Sequence, residues 1–183
     1  MRDVNRGRRV CGPRRGPVLA LLAFALPALG RAGGDSCPAH LFVIERSKNA
    51  NIVVYDAKRG QAGDLEGSEP VVAYWLLNGE KDKREELTRV ERDRAYGVDV
   101  TPGESPGTYA LVFRAERKRR LTVRMLNGCP VVTTPIGGRN GILRRLFIKS
   151  KEDSVLPKVE YVELFGEDVD GGEPLYERFF PGK

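Results

Sequence analysis

Apolar residues at every second position, broken by turn residues, constrain this chain more than any other feature. Leu121, Val123 and Met125 alternate with Thr122 and Arg124, and Tyr109, Leu111 and Phe113 alternate with Ala110 and Val112. That period puts one set of side chains on each face of a half-buried strand. Asn127-Gly128 separates the run at 121–125 from Cys129–Thr134. An Asn-Gly pair in that place is a strong hairpin signal, because both residues accept positive φ. Gly137-Gly138-Arg139-Asn140-Gly141 makes another turn, into 142–148. His40–Glu45, Asn51–Asp56, Val71–Leu77, Val159–Phe165 and Leu175–Phe180 bring the expectation to nine or ten strands. The first two of these read as a hairpin with a polar loop of about five residues, Arg46–Ala50.

Lys81–Arg94 departs from the pattern. It holds strong helix formers, no Pro or Gly, and a Glu85–Arg89 pair at i,i+4. Leu87 and Val90 are its only large apolar residues, so it reads as one helix covering a surface. Many short strands with one helix predict a mainly β, single-domain antiparallel β-barrel of about 8–10 strands with one inserted helix. A two-sheet β-sandwich is the alternative.

The amino terminus has a different character. Six arginines between Arg2 and Arg15 precede an apolar stretch, Val18–Gly30, followed by Ala32 and Gly33. This is the pattern of a secretory signal peptide over residues 1–32, cut after Gly30 or Ala32. The apolar stretch falls short of the roughly 20 residues a membrane span needs. Residues 33–38 then form a short linker and 39–181 one domain, with no transmembrane segment in the mature chain. The expected location is periplasmic or secreted.

Removing the signal changes the electrostatics. The chain carries 31 basic and 25 acidic residues, and seven arginines and one aspartate lie in 1–32, which leaves 24 of each. A neutral exported domain gives no general reason to bind nucleic acid. Cys11 leaves with the signal, and Cys37 and Cys129 remain as an even pair in an oxidising compartment, which predicts a disulfide.

Motifs for catalysis are sparse. His40 is the one histidine, without neighbours spaced as metal ligands, so no metal site is expected. There is no P-loop, and nothing calls for a cofactor. Asp56 and Asp99 sit in apolar contexts without a recognisable partner, and the bland reading for both is a solvated strand end. The glycine turn at 137–141 reads as a hairpin loop before it reads as an anion nest. Glu116-Arg117-Lys118-Arg119-Arg120 reads as a solvated turn. The polar loop at 46–51 has the character of a ligand contact at a barrel mouth, with Tyr74, Trp75 and Tyr96 available as aromatic walls. The candidate ligand-binding residues are Arg46, Asn49, Asn51, Trp75, Arg89 and Tyr96, although Trp75 also suits plain core.

Several stretches together carry a family likeness. They are Glu45-Arg46-Ser47-Lys48-Asn49 with Asn51 and Tyr55, Tyr74-Trp75, Arg84-Glu85-Glu86-Leu87, and Ala95-Tyr96-Gly97. Lys158–Leu164 and Glu177-Arg178-Phe179 follow near the end. In order and spacing the chain resembles the bacterial family called domain of unknown function 4833, over nearly all of residues 40–181. The resemblance implies an exported domain without an established activity and transfers no catalytic residue. By analogy at the level of the fold, the expectation is a non-enzymatic binding module for a small or lipid-like ligand. The rival expectations are an envelope interaction or structural protein without a ligand cavity, with an envelope protein as its partner, and a carboxylate-based hydrolase.

Overall fold

The computed structural model describes residues 37–77, 83–151 and 158–181. The expected signal peptide and most of the linker lie outside the described residues. Strands β1 (His40–Arg46), β2 (Asn49–Ala57), β3 (Val71–Leu76) and β4 (Arg84–Glu86) precede a short helix, α1 (Arg89–Glu91), which continues as a π-helical turn over Arg92–Tyr96. Strands β5 (Val98–Pro102), β6 (Tyr109–Phe113), β7 (Arg120–Leu126), β8 (Cys129–Ile136), β9 (Arg139–Ser150), β10 (Val159–Asp168) and β11 (Pro174–Phe179) follow. All eleven belong to one mixed sheet, curled into a half-barrel. The mainly β, barrel-like expectation with one short helix holds, and the sandwich does not.

Strand β9 is the spine. Its first residues pair with β8, from Ile136↔Arg139 to Thr133↔Ile142. Its later residues pair with β1, from Val43↔Arg145 to Arg46↔Ile148. Because β10 occupies the other edge, from Asp168↔Gly141 to Val159↔Ser150, β8 and β1 share one edge of β9. Two wings therefore spring from that edge, β1-β2-β3-β4 and β8-β7-β6-β5. Three rings join them across the core. Phe42 on β1 stacks on Tyr55 of β2 at 4.4 Å, and Phe113 on β6 meets both edge-on, at 6.3 and 5.9 Å. Burying each such side chain is worth about 1.5–3 kcal/mol.

Three expectations need correction. The β1–β9 pair is parallel, not antiparallel. A parallel pair cannot be joined by a tight turn, and here everything from β2 to β8 forms the crossover, so no local turn residue betrays it. The long helix at 81–94 is mostly something else. Arg84–Glu86 is an edge strand paired with β3, and Leu87 is buried at its end, leaving helix only at Arg89–Glu91 and the π-helical turn. Helix propensity is a weak prior that a free sheet edge overrides. Residues 78–82, including the expected start of that helix, lie outside the described residues. The first hairpin is also tighter than expected, with Arg46 opposite Asn49 and only Ser47 and Lys48 between them.

Turn chemistry matches the sequence elsewhere. Asn127 and Gly128 have φ of 51° and 81°, and Gly137 and Gly138 have 60° and 81°, as two-residue turns with positive φ at both positions require. Cys37 and Cys129 form a disulfide, with Cα atoms 5.3 Å apart, that ties the segment before β1 to the start of β8.

Candidate functional site

Three of the six sequence candidates come together. Arg46, at the end of β1, donates from Nη1 to the Tyr96 hydroxyl at 2.6 Å. The Tyr96 ring meets Trp75 of β3 edge-on at 5.1 Å. Trp75 donates from Nε1 to Glu91 of α1 at 3.1 Å. Glu91 also accepts from the Thr88 backbone N–H and hydroxyl, closing a capping box that starts the helix. From β2, the Tyr55 hydroxyl donates to the Tyr96 carbonyl at 2.6 Å. Gly97 makes the sharp exit possible, since a Cβ there would lie 1.9 Å from the Arg92 carbonyl oxygen. Thr88, Glu91 and Tyr55 were not among the candidates. The Thr88-x-x-Glu91 spacing is the one local signal that points to any of them.

The electrostatics of this cluster are those of an internal tie. Burial pushes the Glu91 carboxyl up, but hydrogen bonds from Thr88 and Trp75 and the charge of Arg46 outweigh it and hold the carboxyl below its usual range. Burial raises the Tyr96 hydroxyl, and the Arg46 guanidinium offsets only part of that. The other three candidates stand apart from the cluster. Asn49 accepts from the Asn51 backbone N–H at 3.0 Å, which closes the β1–β2 turn. The Arg89 side chain is 94% exposed and faces Asp93 at 3.6 Å.

None of the six lines the two adjoining cavities beside β11. There, an apolar cavity of about 130 Å³ lies among Ile44, Phe113, Leu121, Leu146, Ile148 and Val162. Arg119, Phe179, Pro181 and Glu116 line both this cavity and an outer cleft of about 580 Å³. Lys118, Arg120, Thr134, Pro135 and Phe180 complete the cleft. Arg119 is fixed in place. It is ion-paired with Glu177, donates to the Pro135 carbonyl at 2.7 Å and lies over the Phe179 ring at 5.0 Å. Lys118 and Arg120 have no carboxylate within ion-pair distance among the described residues. The basic run at 116–120 is thus partly a wall of this cleft, and only the meeting of the β6–β7 turn with β11 makes it one.

The acids are mostly matched to cations. Asp56, unpartnered in sequence, faces His40 at 3.2 Å and accepts from the Tyr74 hydroxyl at 2.8 Å. Burial and the neighbouring Asp56 carboxylate push Tyr74 up to about 12. Asp99 pairs with Arg114 and Arg117. The glycine turn at 137–141 binds the chain's own carboxylates. The Gly137 N–H donates to Glu177 at 3.0 Å, and Arg139 pairs with Asp168 and Glu173. Among the described residues no group of three or more His, Cys, Asp or Glu side chains is placed to hold a metal. No helix among them is long and apolar enough to cross a membrane.

No curated protein and no solved structure matches this chain. One family model does match, described as Domain of unknown function (DUF4833), over residues 42–178. That span runs from β1 into β11 and takes in the Tyr96 cluster and most of the cavity wall, so this chain belongs to the DUF4833 family.

Proposed function

We propose that this is an exported, non-enzymatic binding module for a small anionic amphiphile. The observation that carries the reading is an apolar cavity opening directly into a basic, aromatic-edged cleft. At about 130 Å³ the cavity is close to the ~150 Å³ apolar cavity that accepts a benzene ring. It therefore suits a short alkyl or single-ring group. The cleft, at about 580 Å³, falls in the usual range for ligand pockets. The ligand's apolar part sits among Ile44, Leu121, Leu146 and Ile148, and its acidic head lies beside Lys118 and Arg120. Arg119, held by Glu177, forms the threshold between the two. Export rests on the signal peptide expected at 1–32.

An anilinonaphthalene sulfonate probe tests this directly, since its anilino ring suits the cavity while its naphthalene carries the sulfonate into the wider cleft. Saturable binding to one site is expected. Ile148→Trp, which fills the cavity, abolishes it, and Lys118→Glu weakens it. Hexanoate should displace the probe at lower concentration than hexanol. Probe binding unchanged in Ile148→Trp would overturn the assignment.

A further inference from the structure

On the outer face of the β5–β8 wing lies a second concavity, of about 580 Å³, that shares Arg120 alone with the lining of the cleft. Successive side chains of a strand point to opposite faces. Leu121 and Val123 of β7 enter the core, so Arg120, Thr122 and Arg124 share the outer face. Thr101 of β5 and Asn140 of β9 also line the concavity. Aromatic residues are missing from its lining, and Glu104, in the β5–β6 loop, is the one carboxylate there against two guanidinium groups.

Arg124 is the anomaly. Its Nε is buried, and among the described residues it has no hydrogen-bond partner. A buried guanidinium N–H left without an acceptor is unfavourable, and native structures rarely keep one. Neither Arg124 nor Arg120 has a carboxylate partner among the described residues, whereas Arg114, Arg117, Arg119, Arg139, Arg144, Arg145 and Arg178 all do. Thr133 and Thr108 spend their hydroxyl protons on the Thr122 and Ser105 carbonyls. Thr101, Thr122, Asn140 and the two arginines remain as donors lining a site whose one carboxylate is Glu104.

We infer that this concavity is an oxyanion site, taking the phosphate or carboxylate of a small hydrophilic molecule, with Arg124 as its anchor. A planar guanidinium fork matches either group in geometry, and its bonds to an anion are charge-assisted. The absence of an aromatic wall directs the site to hydrophilic ligands, and it shares no lining residue with the apolar cavity.

The test is a titration of the folded domain with inorganic phosphate and, separately, with acetate, following the Arg124 Nε–Hε resonance by ¹H–¹⁵N correlation. A saturable shift of that resonance with either ion supports the site, and which ion binds more tightly tells phosphate from carboxylate. Arg124→Gln should weaken binding about tenfold or more, as loss of a charge-assisted contact implies. Asn140→Ala, at an exposed position, weakens it less and leaves the fold intact, so the test survives if the Arg124 variant does not fold. No saturable shift with either ion, or binding unchanged in both variants, overturns the inference. Ile148→Trp, which closes the amphiphile cavity, should leave phosphate binding as it is.

Discussion

Replacing Tyr96 with Phe separates a structural role for the Arg46–Tyr96–Trp75 cluster from a ligand-binding one. The substitution deletes the hydroxyl that accepts from Arg46 at 2.6 Å and keeps the ring against Trp75. Hydrogen bonds to charged groups contribute about 1.5–3 kcal/mol. Arg46 is only half-buried and can turn its freed N–H toward water, so the lower end applies, about 1.5 kcal/mol. For a domain the size of residues 37–181, that lowers the melting temperature by about 4–6 °C. Urea denaturation followed by the emission of Trp75, the single tryptophan, reads the effect as a lower midpoint with unchanged slope. Binding of the sulfonate probe should not change. A variant that melts within about 1 °C of the parent and loses the probe would refute the reasoning. It would return Tyr96 to the ligand.

Other outcomes follow from the same geometry. The Glu91 carboxyl is held low, so its stabilisation is complete above the ordinary glutamate value of about 4.3 and is lost as pH falls through its lower folded value. Glu91→Gln should therefore be less stable than the parent at neutral pH and should converge with it in acid, as paired melts across pH would reveal. Removing the disulfide by Cys37→Ser with Cys129→Ser releases a link between residues 92 apart and should cost about 2–4 kcal/mol in chemical denaturation, with native circular dichroism retained. Gly97→Ala forces a Cβ against the Arg92 carbonyl and should displace the π-helical turn, which a red shift of Trp75 emission reports.

Much of the fold was legible because it is locally encoded. Asn127-Gly128 and Gly137-Gly138 name their turns, and the alternation at 121–125 names its buried face. The Cys37–Cys129 pairing followed from parity and the expected compartment. What escaped the sequence depends on contacts between distant segments. Arg84–Glu86 has helical composition, yet β3 offers it an open edge. The parallel β1–β9 pair carries no turn signature. Trp75 and Tyr96 could be picked out as aromatic residues beside Arg46, but their carboxylate partner lies on another element, and that partner makes the cluster an internal tie. The cleft was hidden for the same reason. Arg119 reads as part of a solvated turn until β11 brings Glu177 and Phe179 against it.

The central claim is that the apolar cavity and the basic cleft beside it hold a small amphiphile. Native and denaturing mass spectrometry of the protein, recovered from its own host, tests it most directly, with Ile148→Trp expressed alongside. The account predicts a native mass exceeding the denatured one by a single small acidic molecule in the parent, and equal masses in the variant. Equal masses in the parent, or the same increment carried by Ile148→Trp, would contradict it and favour a domain that works through its surface.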